Sequence, residues 1–214
     1  MTTTDKSAEV PCVFIVDDDP ATRRSLTWML ESAGRQVEAF ASGDDFLRAY
    51  TPERRGCLIL DMRMPRMTGL ALQEELTARG IVLPVIMLSG YGEVSIAVAA
   101  LQRGALDFLE KPVDEVHLLA QIERAFAVDS ERRRQHSIRR TCSARLQRLT
   151  PREREVMSLV VAGMANKVVA YELGISQKTV ESHRARVMSK LEVQSLADLV
   201  RLEWIAGQGM PARL

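Results

Sequence analysis

Apolar runs at Val13–Val16, Cys57–Leu60, Pro84–Leu88 and Phe108–Leu109 break up the first part of the chain. Between them lie polar stretches in which apolar residues recur every three or four positions. Short apolar runs alternating with helical periodicity predict βα units and a parallel sheet. The expected strands lie near 12–16, 36–40, 57–61, 84–88 and 106–109, and the helices near 20–33, 43–50, 68–79, 93–103 and 114–127. The punctuation agrees: Asp19 suits a helix cap with Pro20 at the first position, and Gly34 suits the end. Thr68 and Asp114 are candidate caps for later helices. After residue 128 the pattern changes. Glu131-Arg-Arg-Arg134 and Arg139-Arg140 form a charged run without an apolar stripe, so 129–146 is expected to be a linker, by default a solvated spacer; the alternatives are a helix continuous with the preceding one and a basic segment that also touches phosphates. From Leu149 four helical segments follow without a strand signal, at 151–162, 166–173, after Ser176 to about 191, and 195–205. The expected fold class is an open five-stranded α/β sheet joined to a small all-α domain.

Charge sharpens this division. The net charge of the 214 residues is only +1. Residues 1–129 carry 13 basic and 20 acidic side chains, whereas residues 130–214 carry 16 and 8. An acidic half suits a cation and a basic half suits a polyanion. No stretch approaches the ~20 apolar residues needed to span a membrane. The polar N-terminus lacks a signal-peptide core. A cytoplasmic protein with no membrane partner is therefore expected. Cys12, Cys57 and Cys142 lack metal-type spacing and read as reduced thiols.

The ends of the apolar runs carry the chemistry. Asp17-Asp18, Asp61, Ser89 and Lys111-Pro112 each follow a strand, and open α/β sheets bind ligands outside the carboxyl ends of their strands. Clustered carboxylates favour a divalent cation, and all-oxygen ligands favour Mg²⁺ or Mn²⁺. Asp17, Asp18, Asp61 and the backbone carbonyl of Arg63 form the candidate metal set. With a cation bound, Asp61 suits nucleophilic attack at phosphorus. Lys111 would meet phosphoryl oxygens, and Ser89 would donate a hydroxyl. Asp19 is expected to cap a helix, and Met62, Met64 and Met67 to pack.

These residues resemble the receiver domain of two-component response regulators, a flavodoxin-like five-stranded fold, across residues 10–128. The ordered parts are Asp17-Asp18, Asp61 with Met64-Pro65 and Gly69, Ser89-Gly90, Phe108 and Lys111-Pro112. The resemblance implies that Asp61 is the phosphoacceptor and Asp18 a direct metal ligand, with Asp17 acting directly or through water. It implies that Ser89 and Phe108 form a switch pair and that phosphorylation drives homodimerisation. Ser89 stands where threonine is frequent, and Phe108 where tyrosine is frequent. Arg63 and Tyr91 would flank the path of hydrolytic water, and Tyr91 is expected to slow hydrolysis.

The stretch from Leu149 to Leu191 resembles the LuxR/NarL-type helix-turn-helix, giving a DNA-binding domain over 147–208. Its signs include Leu149-Thr150, Glu153, Gly163, Asn166-Lys167, Leu173-Gly174-Ile175-Ser176, Thr179-Val180, His183 and Lys190-Leu191. At ~100° per residue, Val180, His183, Val187 and Leu191 share one face, the core stripe. His183 is expected to be packed and hydrogen-bonded there. Lys178, Ser182, Ala185 and Ser189 lie opposite, flanked by Glu181 and Arg186, two candidate base readers; for Glu181 a salt bridge to Lys178 or Arg184 is the alternative. Lys167, Lys178, Thr179, Arg184 and Lys190 are candidate phosphate contacts.

Both halves together are similar to the FixJ subfamily. Its members regulate nitrogen fixation, breakdown of aromatic compounds or respiration on sulfur oxyanions. The resemblance implies a transcription regulator that takes a phosphoryl group from a sensor histidine kinase and binds double-stranded promoter DNA as a dimer at paired half-sites. RNA polymerase is a further candidate partner, and turnover catalysis is not expected. Two rivals make distinct expectations. A phosphorylation-independent factor would keep full DNA binding in Asp61→Asn. A metal-dependent phosphohydrolase would turn over a small phosphate ester.

Overall fold

The strands β1 (Cys12–Val16), β2 (Gln36–Phe40), β3 (Gly56–Asp61), β4 (Val85–Ser89) and β5 (Asp107–Glu110) pair in parallel in the order β2-β1-β3-β4-β5. The computed structural model describes residues 10–90, 98 and 100–207. Side chains alternate across each strand, so the sheet feeds two cores. On one face Phe14, Leu58, Leu60 and Met87 pack against Phe46 of α2 (Gly43–Ala49) and Leu72 and Leu76 of α3 (Gly69–Ala78). On the other, Val13, Ile15, Ile59, Ile86 and Leu88 meet Leu26 and Leu30 of α1 (Pro20–Ser32) and Leu118, Ile122 and Ala125 of α4 (Glu115–Gln147). Burial on both faces explains why β3 and β4 read as continuous apolar runs rather than alternating ones.

Local chemistry sets the boundaries. Asp19 accepts from the N–H groups of Ala21 and Thr22 and starts α1. β4 opens at Val85 rather than Pro84, since proline has no N–H to give a neighbouring strand. Gly56, at φ +143°, lies so close to β1 that a Cβ would sit 1.8 Å from the carbonyl oxygen of Cys12. Of the helix expected over 93–103, residues 98 and 100–102 are helical; 91–97, with Tyr91, and 99 lie outside the described residues.

The linker takes the helical form, continuous with the preceding helix, rather than that of a solvated spacer. Residues 129–146 are helical throughout, continuing α4 to Gln147. The chain divides into two units, Met1–Arg133 and Arg134–Leu214, and the division falls inside this helix. Asp129 is buried and accepts from the Gly56 N–H at 3.2 Å and from Arg133 Nε at 2.8 Å. Arg133 also donates to the carbonyls of Pro52 and Arg54. The start of the charged run is therefore part of the first unit. Further along α4, Cys142 and Leu146 pack on the core of the second.

The second unit contains α5 (Pro151–Val161), α6 (Asn166–Leu173), α7 (Gln177–Leu191) and α8 (Leu196–Gly207). They enclose Leu149, Val156, Val160, Val169, Val180, Val187, Leu191, Leu199 and Leu202. Thr150 and Glu153 form a reciprocal capping box at α5, which satisfies two otherwise orphaned N–H groups. Gly174 ends α6 at φ 63°, a left-handed conformation that suits glycine and turns the chain towards α7. No helix among the described residues is long and apolar enough to cross a membrane.

Candidate functional site

Strand register brings the sequence-separated groups together. Val16 of β1 pairs with Leu60 of β3, so Asp17 and Asp61 follow side by side at the carboxyl edge of the sheet. Ser89 closes β4 beside Glu110 of β5, and Lys111 follows, its N–H bonded to the Ser89 carbonyl. The Lys111 ammonium then bridges the two acids, 2.7 Å from Asp17 Oδ2 and 2.5 Å from Asp61 Oδ1. The Lys111–Pro112 peptide is cis. Asp17, Asp61 and Ser89 are buried. Ser89 donates its hydroxyl to the Gly90 carbonyl at 3.0 Å. Gly69 lets the start of α3 approach the phosphorus-reactive candidate, because a Cβ there would lie 2.5 Å from the Asp61 carbonyl oxygen.

This geometry shifts the charges. Burial pushes the Asp61 carboxyl above its ordinary range; Lys111 pulls it down and Asp17 adds to the rise. Burial opposes charging of Lys111, but its hydrogen bonds to Asp17 and Asp61 win, and its ammonium is held more firmly than usual. Asp61 also accepts from the Arg63 N–H at 2.8 Å, and Asp17 from the Asp19 N–H at 2.9 Å. A further contact, Arg23 Nη1 to the Asp17 carbonyl at 2.6 Å, anchors this loop and has no signature in the spacing.

The candidate metal ligands are not all gathered in one cage. Asp17 and Asp61 converge on Lys111, whereas Asp18 is exposed. Among the described residues no three acidic, histidine or cysteine side chains stand as a preformed ion site. The donor chemistry nevertheless fits a hard divalent cation, since every candidate ligand is an oxygen. Met62 and Met64 are buried in the sheet core, away from any role as ligands. Phe108 is partly buried against the same core. Asp19, as its spacing suggested, caps α1.

In the second unit, α7 starts at Ser176, whose hydroxyl accepts from the Thr179 N–H. Thr179 also bonds Ser176 through its own hydroxyl, at 2.8 Å. Lys167, Lys178, Glu181, Ser182, Ala185 and Arg186 are exposed, as a groove-facing set requires. Two candidate phosphate contacts have partners within the domain. Arg184 donates to the Asn166 side chain at 2.6 Å, and Lys190 to the buried Glu153 at 2.6 Å. Helical spacing reports which face a residue shares but not these partners, 18 and 37 residues away. His183 also departs from expectation: its Nδ1 is buried without a hydrogen-bond partner among the described residues.

The Lys190 hydrogen bond and the Thr150 N–H hold the Glu153 carboxyl down at about 2. An unfolded glutamate titrates near 4.3. Its folded value is the lower one, so the pair stabilises fully above about pH 4.5 and loses that contribution as pH falls towards 2. Glu153→Gln is expected to flatten this part of the acid unfolding of α5–α8, followed by hydrogen exchange. An unchanged acid limb would assign the loss to other carboxylates.

Comparison with known proteins places both units. Residues 13–123 match the response regulator receiver domain and residues 147–203 the bacterial regulatory proteins of the luxR family. The chain is 45% identical over 195 residues to the transcriptional regulatory protein FixJ of Azorhizobium caulinodans, covering 91% of this chain and 92% of that protein. It is 41% identical to the tetrathionate response regulatory protein TtrR of Salmonella typhimurium, covering 88% and 90%. Among solved structures, the response regulator StyR matches with a TM-score of 0.78 at 43% identity, covering 90% of this chain and 98% of that one. Full-length FixJ from B. japonicum matches with a TM-score of 0.57 at 38% identity, covering 94% and 98%.

Proposed function

We propose that this chain, which belongs to the FixJ-type response regulators with a receiver and a LuxR-type DNA-binding domain, is switched by phosphorylation of Asp61. The observation that carries the reading is the Lys111 ammonium bridging Asp17 and Asp61 at the carboxyl edge of the sheet. A carboxylate that attacks phosphorus needs a positive charge fixed where the phosphoryl oxygens will lie, and Lys111 supplies one. An oxygen of Asp61 bonds to phosphorus as the bond from phosphorus to the donor, a kinase histidine nitrogen, breaks. Mg²⁺ or Mn²⁺, held by Asp17, Asp18, Asp61 and the Arg63 carbonyl, would neutralise the gathered negative charge.

Ser89 then gives up its bond to the Gly90 carbonyl and donates to the phosphoryl group. Phe108 moves into the vacated space. The phosphoryl group biases this equilibrium only through its different contacts in the two states. The altered receiver surface favours a dimer, which presents two copies of α7 to promoter half-sites. Sensor kinase, promoter DNA and, at the promoter, RNA polymerase are the proposed partners, in the cytoplasm. The chain takes and loses one phosphoryl group and is not a turnover enzyme.

The test is intact mass and oligomeric state of the full chain with Mg²⁺ and acetyl phosphate. The expected result is one phosphoryl group per chain and a monomer-to-dimer shift. An unmodified chain that binds promoter DNA with full affinity would overturn the reading.

A further inference from the structure

A negative side chain on a surface that faces a polyanion needs a reason. Glu181 lies in the first half of α7, the part of a recognition helix that meets base edges in the major groove. It is exposed, and among the described residues no hydrogen bond or ion pair engages it. The neighbouring cations make no pair with it among the described residues. Arg184, one turn along, donates instead to the Asn166 side chain. Lys178, one turn back, is exposed and makes no ion pair with it among the described residues. Ser182 and Ala185, exposed beside Glu181, are short, so the helix backbone can come close to the bases there.

We propose that Glu181 determines sequence specificity by accepting a hydrogen bond from the exocyclic amino group of a cytosine in each half-site. The inference rests on the DNA-binding reading above and deepens it. An ionised carboxylate only accepts hydrogen bonds. Guanine shows it two acceptors in the major groove, and thymine an acceptor and a methyl group. Adenine offers an amino group, but with the N7 acceptor beside it. Cytosine offers the amino group without that neighbour. Without the donor, the carboxylate only repels the phosphates. Glu181 therefore penalises every duplex that lacks cytosine at this position, and it discriminates by repulsion as well as by attraction.

The experiment is binding-site selection from random duplex DNA by the full chain with Mg²⁺ and acetyl phosphate, for wild type, Glu181→Ala and Glu181→Gln. Wild type is expected to select a site with one cytosine per half-site whose replacement weakens binding about 5- to 150-fold. Glu181→Ala should lose the preference at that position alone and bind random duplex more tightly. Glu181→Gln should move the preference to adenine, which suits an amide that both donates and accepts. A Glu181→Ala selection identical to wild type would overturn the proposal while leaving DNA binding standing. A wild-type chain that selects no sequence would overturn both.

Discussion

Asp61→Asn is expected to abolish phosphoryl uptake from acetyl phosphate, and Lys111→Met to slow it by about 10²- to 10³-fold. The first change is nearly isosteric but removes the nucleophilic oxygen. The second keeps the aliphatic stem and removes only the ammonium. That ammonium lies within hydrogen-bond distance of both acids before any donor arrives. It is thus positioned in advance to meet the charge that accumulates on the phosphoryl oxygens, and no rearrangement is needed at the moment of transfer. Its loss would also leave the divalent cation to offset the charge of Asp17 and Asp61 without help from the protein. The measurement is the initial rate of mass gain in the two variants beside wild type. Lys111→Met modified at the wild-type rate would remove Lys111 from this role. Asp61→Asn that still gained a phosphoryl group would place the acceptor elsewhere.

The pocket was legible because each of its members terminates a buried strand. An apolar run followed by Asp, Ser or Lys fixes both the element and the end at which the polar group emerges. Strand ends therefore fell within one residue of the structure at β1, β2 and β3. Partners across the fold carry no such local mark. Charge makes Lys190 a candidate phosphate contact, yet its ammonium reaches Glu153, which also closes the capping box of α5. Arg184 likewise looked like a free cation on α7 until Asn166 of the preceding helix supplied its acceptor. Basic residues near a recognition helix are expected to be phosphate contacts on composition alone; only the fold distinguishes those that hold the helix in place from those it offers outward. Asp18 shows the converse. Adjacent acids read as a pair, but both lie past the end of β1, where Asp17 is buried against Lys111 and Asp18 is exposed.

The run Glu131–Arg134 shows most clearly how a charged stretch can hide a structural part, and it leads to the second large expected effect. Arg133→Ala should destabilise the receiver unit by about 3–5 kcal/mol, the usual cost of orphaning a buried charge. For a domain of this size that is roughly 10–25 °C in melting temperature. An ordinary surface arginine would change stability by no more than about 0.5 kcal/mol. The difference arises because Asp129 is 2% exposed and Arg133 is its cationic partner, 2.8 Å away. The same guanidinium gathers the Pro52 and Arg54 carbonyls just before β3, while Asp129 accepts from Gly56 at its start. Helix α4 is thereby fastened to the beginning of the strand that carries Asp61 at its other end. If the cost comes from the stranded carboxylate, adding Asp129→Ala to Arg133→Ala should recover part of it. Hydrogen exchange of the β1 and β3 amides in the full chain reads this directly, since opening of these central strands reports the stability of the unit. A double variant no more protected than Arg133→Ala would shift the cause from the buried charge to the lost carbonyl contacts. Protection unchanged in the single variant would return the run to the solvated spacer that its composition first suggested.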